Sequence, residues 1–208
     1  AVQSHTGSLV GSDRVYEAAF KQCGVIRARD LDEMEDLLMA FLHLPLMNGS
    51  RVGIVSPTGA GGIIAVDACE RYELEVANLS SHCVSKVEEL SPPWMSIGNP
   101  MDIWPASRIS GHSFIQVYRT ALESVLSDDN VDGVLCNVPF RVEEELLDAI
   151  SEIAAVSSNK PIVCYLYWFC EWAGLDKVEN TIIFPSQDRA IRALAALRNR
   201  AEFLKKAQ

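Results

Sequence analysis

The chain has 208 residues, of which 49% are hydrophobic and 22% are charged, so it can bury the core of one large domain or of one domain with an appended piece. Its formal net charge of -10 argues against nucleic acid as a partner, because no basic stripe is present to displace counterions. The sequence has neither the long apolar stretch of a membrane span nor the pattern of a signal peptide. Because it begins at Ala1 and not at a methionine, we expect a fragment of a longer protein.

Six cysteines are scattered along the chain without the CxxC spacing of a metal site or a redox motif. Most of them lie inside apolar runs, where a reduced thiol behaves as a small hydrophobic side chain. The pattern predicts a reducing, cytoplasmic environment, and it predicts no metal site.

Residues 1–48 predict a loop followed by a helical hairpin. Residues 1–12 are small, polar and glycine-rich. Ser12 can cap a first helix that ends at Gly24, and Asp30 with a glutamate three residues later has the spacing of a capping box. The second helix carries an apolar stripe at helical period: Leu31, Met34, Leu37, Leu38, Phe41 and Leu42.

A linker at 45–50 separates this hairpin from residues 49–208, which predict an α/β domain. Apolar runs typical of strands alternate there with helical patterns. These runs are 52–55, 74–77, 131–138, 162–167 and 181–184. Strands joined by helices favour right-handed crossovers, so we expect one doubly wound parallel sheet covered on both faces, with residues 1–48 at its margin.

A glycine loop follows the first of these strands. Gly59, Gly61 and Gly62 would let a ligand approach the backbone, and with Ala60 they open a helix whose first N–H groups and dipole attract an anion. A tight turn in any doubly wound fold also favours glycine, so a purely structural role stays open. The helix is expected to be buried on most sides, because its apolar residues are dense: Ile63, Ile64, Val66, Ala68 and Cys69.

Ligands of parallel sheets bind outside the carboxyl ends of the strands, which here means loops 56–62, 98–105 and 139–141. Prolines and a glycine over 92–100 predict a structured loop there and exclude a helix. The simplest interpretation of residues 98–100 is a turn, formed by Gly98, Asn99 and Pro100. Their place at this sheet edge makes Asn99 a candidate for holding an acyl carboxylate or a phosphate, with Asp102 pinning the loop.

Four segments carry a resemblance to a known family. They are SHTGSLVGSDRVYEAAFKQCGVIR at 4–27, PTGAGGIIAVDACE at 57–70, IGNPMDI at 97–103 and DDNVDGVLCNV at 128–138. In order and spacing they resemble the NDP-forming acyl-CoA synthetases, relatives of succinyl-CoA synthetase, over essentially the whole chain. The resemblance implies a flavodoxin-like ligase domain over 49–208, preceded over 1–48 by a phosphohistidine loop and the helical hairpin.

The resemblance implies an acid–CoA ligase, ADP-forming, that makes acyl-CoA from a carboxylic acid, CoA and ATP through an acyl phosphate. In that family a histidine in an SHTG loop carries the phosphoryl group, and His5 occupies that position here. The helix at 59–62 would face the phosphohistidine, and residues 98–100 would contact substrate. His43, His82 and His112 lack this context and are assigned no role.

The resemblance also implies domains that we do not find in these residues. An upstream CoA-binding domain and an ATP-grasp domain, on the same protein or on a partner subunit, would bind CoA and ATP or ADP with Mg²⁺. The fragment alone should therefore be inactive, and the intact enzyme should be an oligomer. The sequence leaves open the acid, the choice between ADP and GDP, and the arrangement of the subunits.

Two other functions stay open. One is a non-catalytic regulatory ligase-like module, as in a protein acetyltransferase, and such versions typically lack the histidine. The other is a plain small-molecule-binding module, which would leave residues 1–12 unexplained. A dinucleotide dehydrogenase is disfavoured, because no GxGxxG follows the first strand.

Overall fold

The computed structural model describes residues 12–139, 144–156, 159–167 and 181–207. His5 and residues 140 and 141 of the predicted loop 139–141 lie outside the described residues. The helices are α1 (Asp13–Cys23), α2 (Leu31–His43), α3 (Gly59–Arg71), α4 (Ser81–Glu88), α5 (Trp104–Arg108), α6 (Phe114–Leu126), α7 (Glu144–Val156) and α8 (Gln187–Lys206). The strands are β1 (Arg51–Ser56), β2 (Glu75–Val76), β3 (Met101–Asp102), β4 (Gly133–Val138), β5 (Ile162–Leu166) and β6 (Ile182–Phe184). None of these helices is long and apolar enough to cross a membrane.

The strands form one sheet in the order β2-β1-β4-β5-β6, and β3 also pairs with β1. Every pairing is parallel, so the predicted doubly wound parallel sheet is confirmed. The short apolar runs of β1 and β4 are buried almost throughout, because helices cover both faces. Helices α4, α6 and α7 contribute to the core on one face, and α2, α3 and α8 contribute to the core on the other.

Strand β3, like the short helix α5, is an element that the sequence did not predict. It has two residues, which is too short for any periodic pattern, and it pairs with the carboxyl end of β1 in the register Val55–Met101. Strand β2 pairs with the amino end of β1 on the same side, in the register Arg51–Glu75. One edge of β1 is therefore shared between two very short strands.

Helix α3 is buried on one face only, so the expectation that it is buried on most sides is wrong. Ala65, Ala68 and Cys69 pack against the sheet, whereas Ile63 and Ile64 are 66% and 56% exposed. The small alanine side chains let the helix approach the sheet closely, and no other element in the described ranges covers its outer side. A high density of apolar residues in a helix therefore does not by itself indicate burial on most sides.

Two of the three predicted caps of the helical hairpin are formed, whereas Ser12 stands at the N-cap of α1 without a side-chain hydrogen bond to the helix. Gly24 ends α1 in the left-handed conformation at φ 65°, and the Asp30 carboxylate accepts a hydrogen bond from the Glu33 backbone N–H at 2.7 Å. The capping box is not reciprocal, because the Glu33 carboxylate accepts from the backbone N–H of Arg29 at 2.9 Å and not from that of Asp30. The hairpin therefore starts and ends where its sequence predicts.

Each cysteine in the described part of the chain is free, and four of them are buried: Cys69, Cys83, Cys136 and Cys164. Burial raises the pKa of the Cys69 thiol to about 12. These cysteines are small core side chains, as the sequence predicts.

Candidate functional site

The turn between β1 and α3 is held by two hydroxyl groups. Ser56 Oγ donates to the Thr58 carbonyl oxygen at 2.7 Å and accepts from the Thr58 N–H at 3.3 Å. Thr58 is the N-cap of α3, and its Oγ1 accepts from the Gly61 N–H at 3.0 Å. The start of the helix is thus fixed by the sequence Ser-Pro-Thr-Gly.

Two backbone donors at this helix start have no acceptor among the described residues. The Gly62 N–H reaches the Thr58 carbonyl oxygen at 3.2 Å and the Gly61 N–H is capped, but the N–H groups of Gly59 and Ala60 make no hydrogen bond within those ranges. Both residues are exposed. The dipole of this helix and two free N–H groups make its first turn suitable for an anion.

Gly61 and Gly62 are buried, and neighbouring loops approach them closely. A Cβ atom at Gly61 would overlap the Tyr167 hydroxyl and lie 2.9 Å from Ser56 Oγ. A Cβ atom at Gly62 would lie 2.7 Å from Pro100 Cβ. Packing therefore requires glycine at both positions. Because the N–H groups of Gly61 and Gly62 are hydrogen-bonded, Gly59 and Ala60 are the two of the four predicted phosphate-binding positions whose N–H groups are free among the described residues.

The packing of Pro100 on Gly62 brings the second predicted loop, 98–100, against the first. Within that loop, Asn99 completes the sheet. Its Oδ1 accepts from the Ile54 N–H at 2.9 Å, and its Nδ2 donates to the carbonyl oxygens of Val52 at 2.8 Å and Ala77 at 2.9 Å. Both amide protons are thus used by the backbone, in the gap between β2 and β3. A substrate contact from this loop remains a prediction, and it would use a backbone group or the second lone pair of Oδ1.

A carboxylate lies beside the free end of α3. Asp102 Oδ1 accepts from the Trp104 N–H at 3.0 Å, which starts α5, and a Cβ atom at Gly59 would lie 3.3 Å from Asp102 Oδ2. A negative group here complements the helix dipole and weakens the attraction for a second anion. The described residues offer no group of three His, Cys, Asp or Glu side chains that could hold a metal.

Buried polar side chains lie near the carboxyl ends of β4 and β5, and this feature was not predicted from the sequence. Asn137 is fully buried, and its side-chain amide has no hydrogen-bond partner among the described residues. Gln187, the first residue of α8, donates through Nε2 to the Tyr167 hydroxyl at 3.1 Å, and its Oε1 has no partner in the same part of the chain. Tyr167 in turn lies against Gly61 and so connects Gln187 to α3. An asparagine inside the apolar run VLCNV was the signal that could have revealed it.

The end of β4 is also fixed from the opposite face of the sheet. The Tyr118 hydroxyl donates to the Asn137 carbonyl oxygen at 2.6 Å, and burial raises the pKa of Tyr118 well above its usual value. Tyr118 therefore stays a neutral donor, and it holds the backbone that carries the Asn137 side chain.

Comparison with known proteins gives consistent matches. A family model described as succinyl-CoA ligase like flavodoxin domain matches residues 1–41. The acetate–CoA ligase [ADP-forming] I subunit alpha of Pyrococcus furiosus is 34% identical over an alignment of 210 positions, which covers 95% of this chain and 43% of the relative. The acetate–CoA ligase [ADP-forming] II of Archaeoglobus fulgidus is 37% identical over 138 residues, which is 66% of this chain and 20% of the relative.

The fold matches a solved structure over nearly its whole length. An acetyl-coenzyme A synthetase 1 from Ca. Korarchaeum cryptofilum, described as dinucleotide forming and solved with phosphate and ADP, superposes with a TM-score of 0.81 at 22% identity. The match covers 99% of this chain and 45% of that one. The chain thus spans less than half the length of these relatives, and it belongs, as a part of such a protein, to the family of ADP-forming acyl-CoA ligases.

Proposed function

We propose that this chain is the part of an ADP-forming acid–CoA ligase that carries the phosphoryl group on His5 and receives it at the amino end of α3. The observation that supports this role is the pair of free N–H groups of Gly59 and Ala60, which stand at the start of a capped helix at the carboxyl edge of the sheet.

The proposed reaction has three steps. A neutral imidazole nitrogen of His5 attacks the γ-phosphorus of ATP, so an N–P bond forms, the bond to the bridging oxygen breaks, and ADP leaves. A carboxylate oxygen of the acid then attacks that phosphorus, which breaks the N–P bond, frees His5 and gives an acyl phosphate. Finally the sulfur of CoA attacks the acyl carbon, phosphate leaves, and the thiol proton passes to solvent.

Helix α3 would act on the transferred phosphoryl group by position and charge. Phosphoryl transfer depends mainly on alignment and on stabilising the charge of the equatorial oxygens. Two free N–H groups and the helix dipole supply both without a charged side chain. The dipole contributes about 0.3–1 kcal/mol at an exposed terminus and up to about 2 kcal/mol in a partly buried one.

We further propose the division into a phosphohistidine loop with the helical hairpin, over 1–48, and a flavodoxin-like ligase domain, over 49–208. CoA, ATP or ADP and Mg²⁺ would be bound mainly by a CoA-binding domain and an ATP-grasp domain elsewhere in the protein or on a partner subunit, in a cytoplasmic oligomer. The name subunit alpha in one relative supports an enzyme of several parts.

The test is phosphorylation of the intact protein that contains this chain. It is incubated with ATP labelled on the γ-phosphate, and the acid-labile, base-stable label is located by mass spectrometry. Label on His5 in the wild type and none in His5→Gln supports the phosphoryl carrier. Labelling at the wild-type level in His5→Gln overturns it. The regulatory-module alternative predicts no label in either protein.

Two variants at Ala60 test the proposed role of α3 in phosphoryl transfer. Ala60→Asp places a carboxylate beside the free N–H groups and should slow labelling of His5 by about tenfold or more, which corresponds to about 1.4 kcal/mol. Ala60→Ser adds a neutral group of similar size at the same exposed position and should label at nearly the wild-type rate. Equal rates in both variants would remove α3 from the proposal while leaving the carrier role of His5 intact.

A further inference from the structure

Two buried amide side chains near the carboxyl ends of the strands have unpaired polar atoms. Asn137, near the end of β4, is fully buried, and neither its Oδ1 nor its Nδ2 is paired among the described residues. Gln187, at the start of α8, is 3% exposed, and its Oε1 has no partner in the same ranges. A buried amide without hydrogen bonds lowers stability. Its retention in a fold therefore points to a role that the free chain does not fulfil.

The register of the sheet places Asn137 beside the glycine loop. Strands β1 and β4 are paired as far as Val55 and Cys136, so the next residues, Ser56 and Asn137, also lie opposite each other. Leu135 belongs to the core under α3 and α8. Because side chains alternate along a strand, Asn137 faces the same two helices.

The connections of the sheet diverge at this place. After β1 the chain enters α3 on one face of the sheet, whereas α7, after β4, packs on the opposite face. Adjacent parallel strands with such connections open a crevice between their carboxyl ends, and ligands of these sheets bind in that crevice. The unpaired amide of Asn137 thus lies at the inner end of the crevice, and the free N–H groups of Gly59 and Ala60 lie at its outer end.

Tyr167 covers the Asn137 amide in the free chain. It follows β5, and its hydroxyl lies against Gly61 and close to Ser56 at the end of β1. Because β4 lies between β5 and β1, the Tyr167 side chain crosses the end of β4 to reach that position. Gln187 Nε2 donates to this hydroxyl at 3.1 Å. An outward turn of Tyr167 would therefore uncover Asn137 and release the Gln187 amide together.

We propose that Asn137 and Gln187 form a subsite for a hydroxyl group of the acid substrate, so that the enzyme activates hydroxy acids in preference to their unsubstituted analogues. This inference rests on the proposed function, since it takes the carboxylate of the acid to react near Gly59 and Ala60. The unpaired atoms are one amide nitrogen and two carbonyl oxygens. A hydroxyl group both donates and accepts, so it pairs with this set, whereas a carboxylate or a phosphate offers acceptors alone.

Burial makes the subsite selective. An acid without the hydroxyl group would leave the two amides unpaired in a site closed to water. A site built to bind a hydroxyl group discriminates strongly against analogues that lack it, which a purely apolar pocket cannot do. Asn137 thereby sets specificity without taking part in phosphoryl transfer.

The test compares matched acids with the intact protein that contains this chain. Butyrate and benzoate are each assayed beside their monohydroxy derivatives, with ATP and CoA, by the release of ADP. At least one hydroxy acid should exceed its parent acid in kcat/KM by about tenfold or more in the wild type. Asn137→Leu, which keeps the branched shape without polar atoms, should reduce that preference to about threefold or less.

Thermal unfolding of the same proteins gives a readout that does not depend on turnover. Without acid, Asn137→Leu should unfold at the wild-type temperature or above it, because the variant removes an unpaired amide. The preferred hydroxy acid should raise the unfolding temperature of the wild type by more than its parent acid does, and this difference should vanish in Asn137→Leu. The control is Asn199→Leu at an exposed position of α8, which should keep both the preference and the shift. If Asn137→Leu does not accumulate, Asn137→Val is the smaller change.

Two results would overturn the subsite. One is equal kcat/KM and equal thermal shifts for each parent acid and its derivatives. The other is a hydroxyl preference that Asn137→Leu retains, since recognition would then lie with other residues. Neither result depends on label at His5, so a failure of this subsite is distinguishable from a failure of the phosphoryl carrier.

Discussion

The helical hairpin and the sheet domain are built on opposite plans. In the domain from β1 to α8, apolar side chains point inward to two cores, and charged groups lie mainly at the surface. In the hairpin, α1 has no buried residue, and α2 buries Glu33 and Asp36 while it exposes most of its leucines. The sheet domain thus buries apolar side chains in two cores, whereas α2 buries two carboxylates and leaves an apolar stripe exposed.

The largest expected effect is a loss of stability in the sheet domain. Asn99→Ala removes three hydrogen bonds to the backbone and leaves the Ile54 N–H without its acceptor. At about 1 kcal/mol for each bond, the free energy of unfolding should fall by about 3 kcal/mol in urea titrations. The exposed Asn48→Ala is the control and should change it by less than about 0.5 kcal/mol. An equal, small effect of both variants would show that the Asn99 side chain does not hold the sheet.

The next effect tests whether charge attaches the hairpin. Asp36→Ala leaves Arg189 and Arg192 without their main partner while both remain partly buried. We expect a loss of about 2 kcal/mol, because unpaired charges close to a protein interior are costly. Hydrogen exchange should show α2 opening before β1 and β4. Opening of β4 together with α2 would mean that hairpin and sheet unfold as one unit.

Two glycine substitutions test how closely the loops at the sheet edge are packed. Gly61→Ala must displace Tyr167 and should cost about 1–2 kcal/mol by overpacking. Gly98→Ala projects into open space at a normal φ and should be nearly neutral. Thermal unfolding measures both. Combining Gly61→Ala with Tyr167→Phe should recover part of the loss, and no recovery would place the strain elsewhere.

The smallest effect is a pH dependence within the hairpin. The pKa of Glu33 lies below its ordinary value. Burial alone would raise this pKa, but the hydrogen bonds from Arg29 and the charges of Arg29 and Arg192 lower it by more than burial raises it. A lowered pKa in the folded state means that the stabilisation is complete above the unfolded pKa of about 4.3 and is lost as the pH falls through the folded pKa. Wild type should exceed Glu33→Gln in stability by about 1 kcal/mol at pH 7 and by much less near pH 3. A pH-independent difference would contradict the ionic role of Glu33.

The sequence predicts the Gly24 and Asp30 caps, the parallel sheet and the alternation of its strands with helices, because these depend on local patterns of sufficient length. It fails where an interaction joins distant segments. No local pattern indicates that the Asn99 side chain would bond to β1 or that Tyr167 would pack against Gly61. Local sequence also does not indicate that arginines of α8 would form ion pairs with the acidic side of α2. The glycine loop was read correctly as a helix start. Which of its N–H groups are free depends on Thr58 and on the neighbouring loops, so only the structure could reveal it.

The division of one β1 edge between β2 and β3 has a consequence for solubility. A long exposed strand edge is a template on which another chain can add a strand and start aggregation. Here that edge consists of two strands of two residues each, and the side chain of Asn99, followed by Pro100, stands between them. The opposite edge strand, β6, has three residues and is contacted by α2. Among the described strands, neither edge offers an incoming strand a long continuous row of backbone groups. A sheet protected in this way resists the addition of a strand from another chain even where its edges are exposed to solvent.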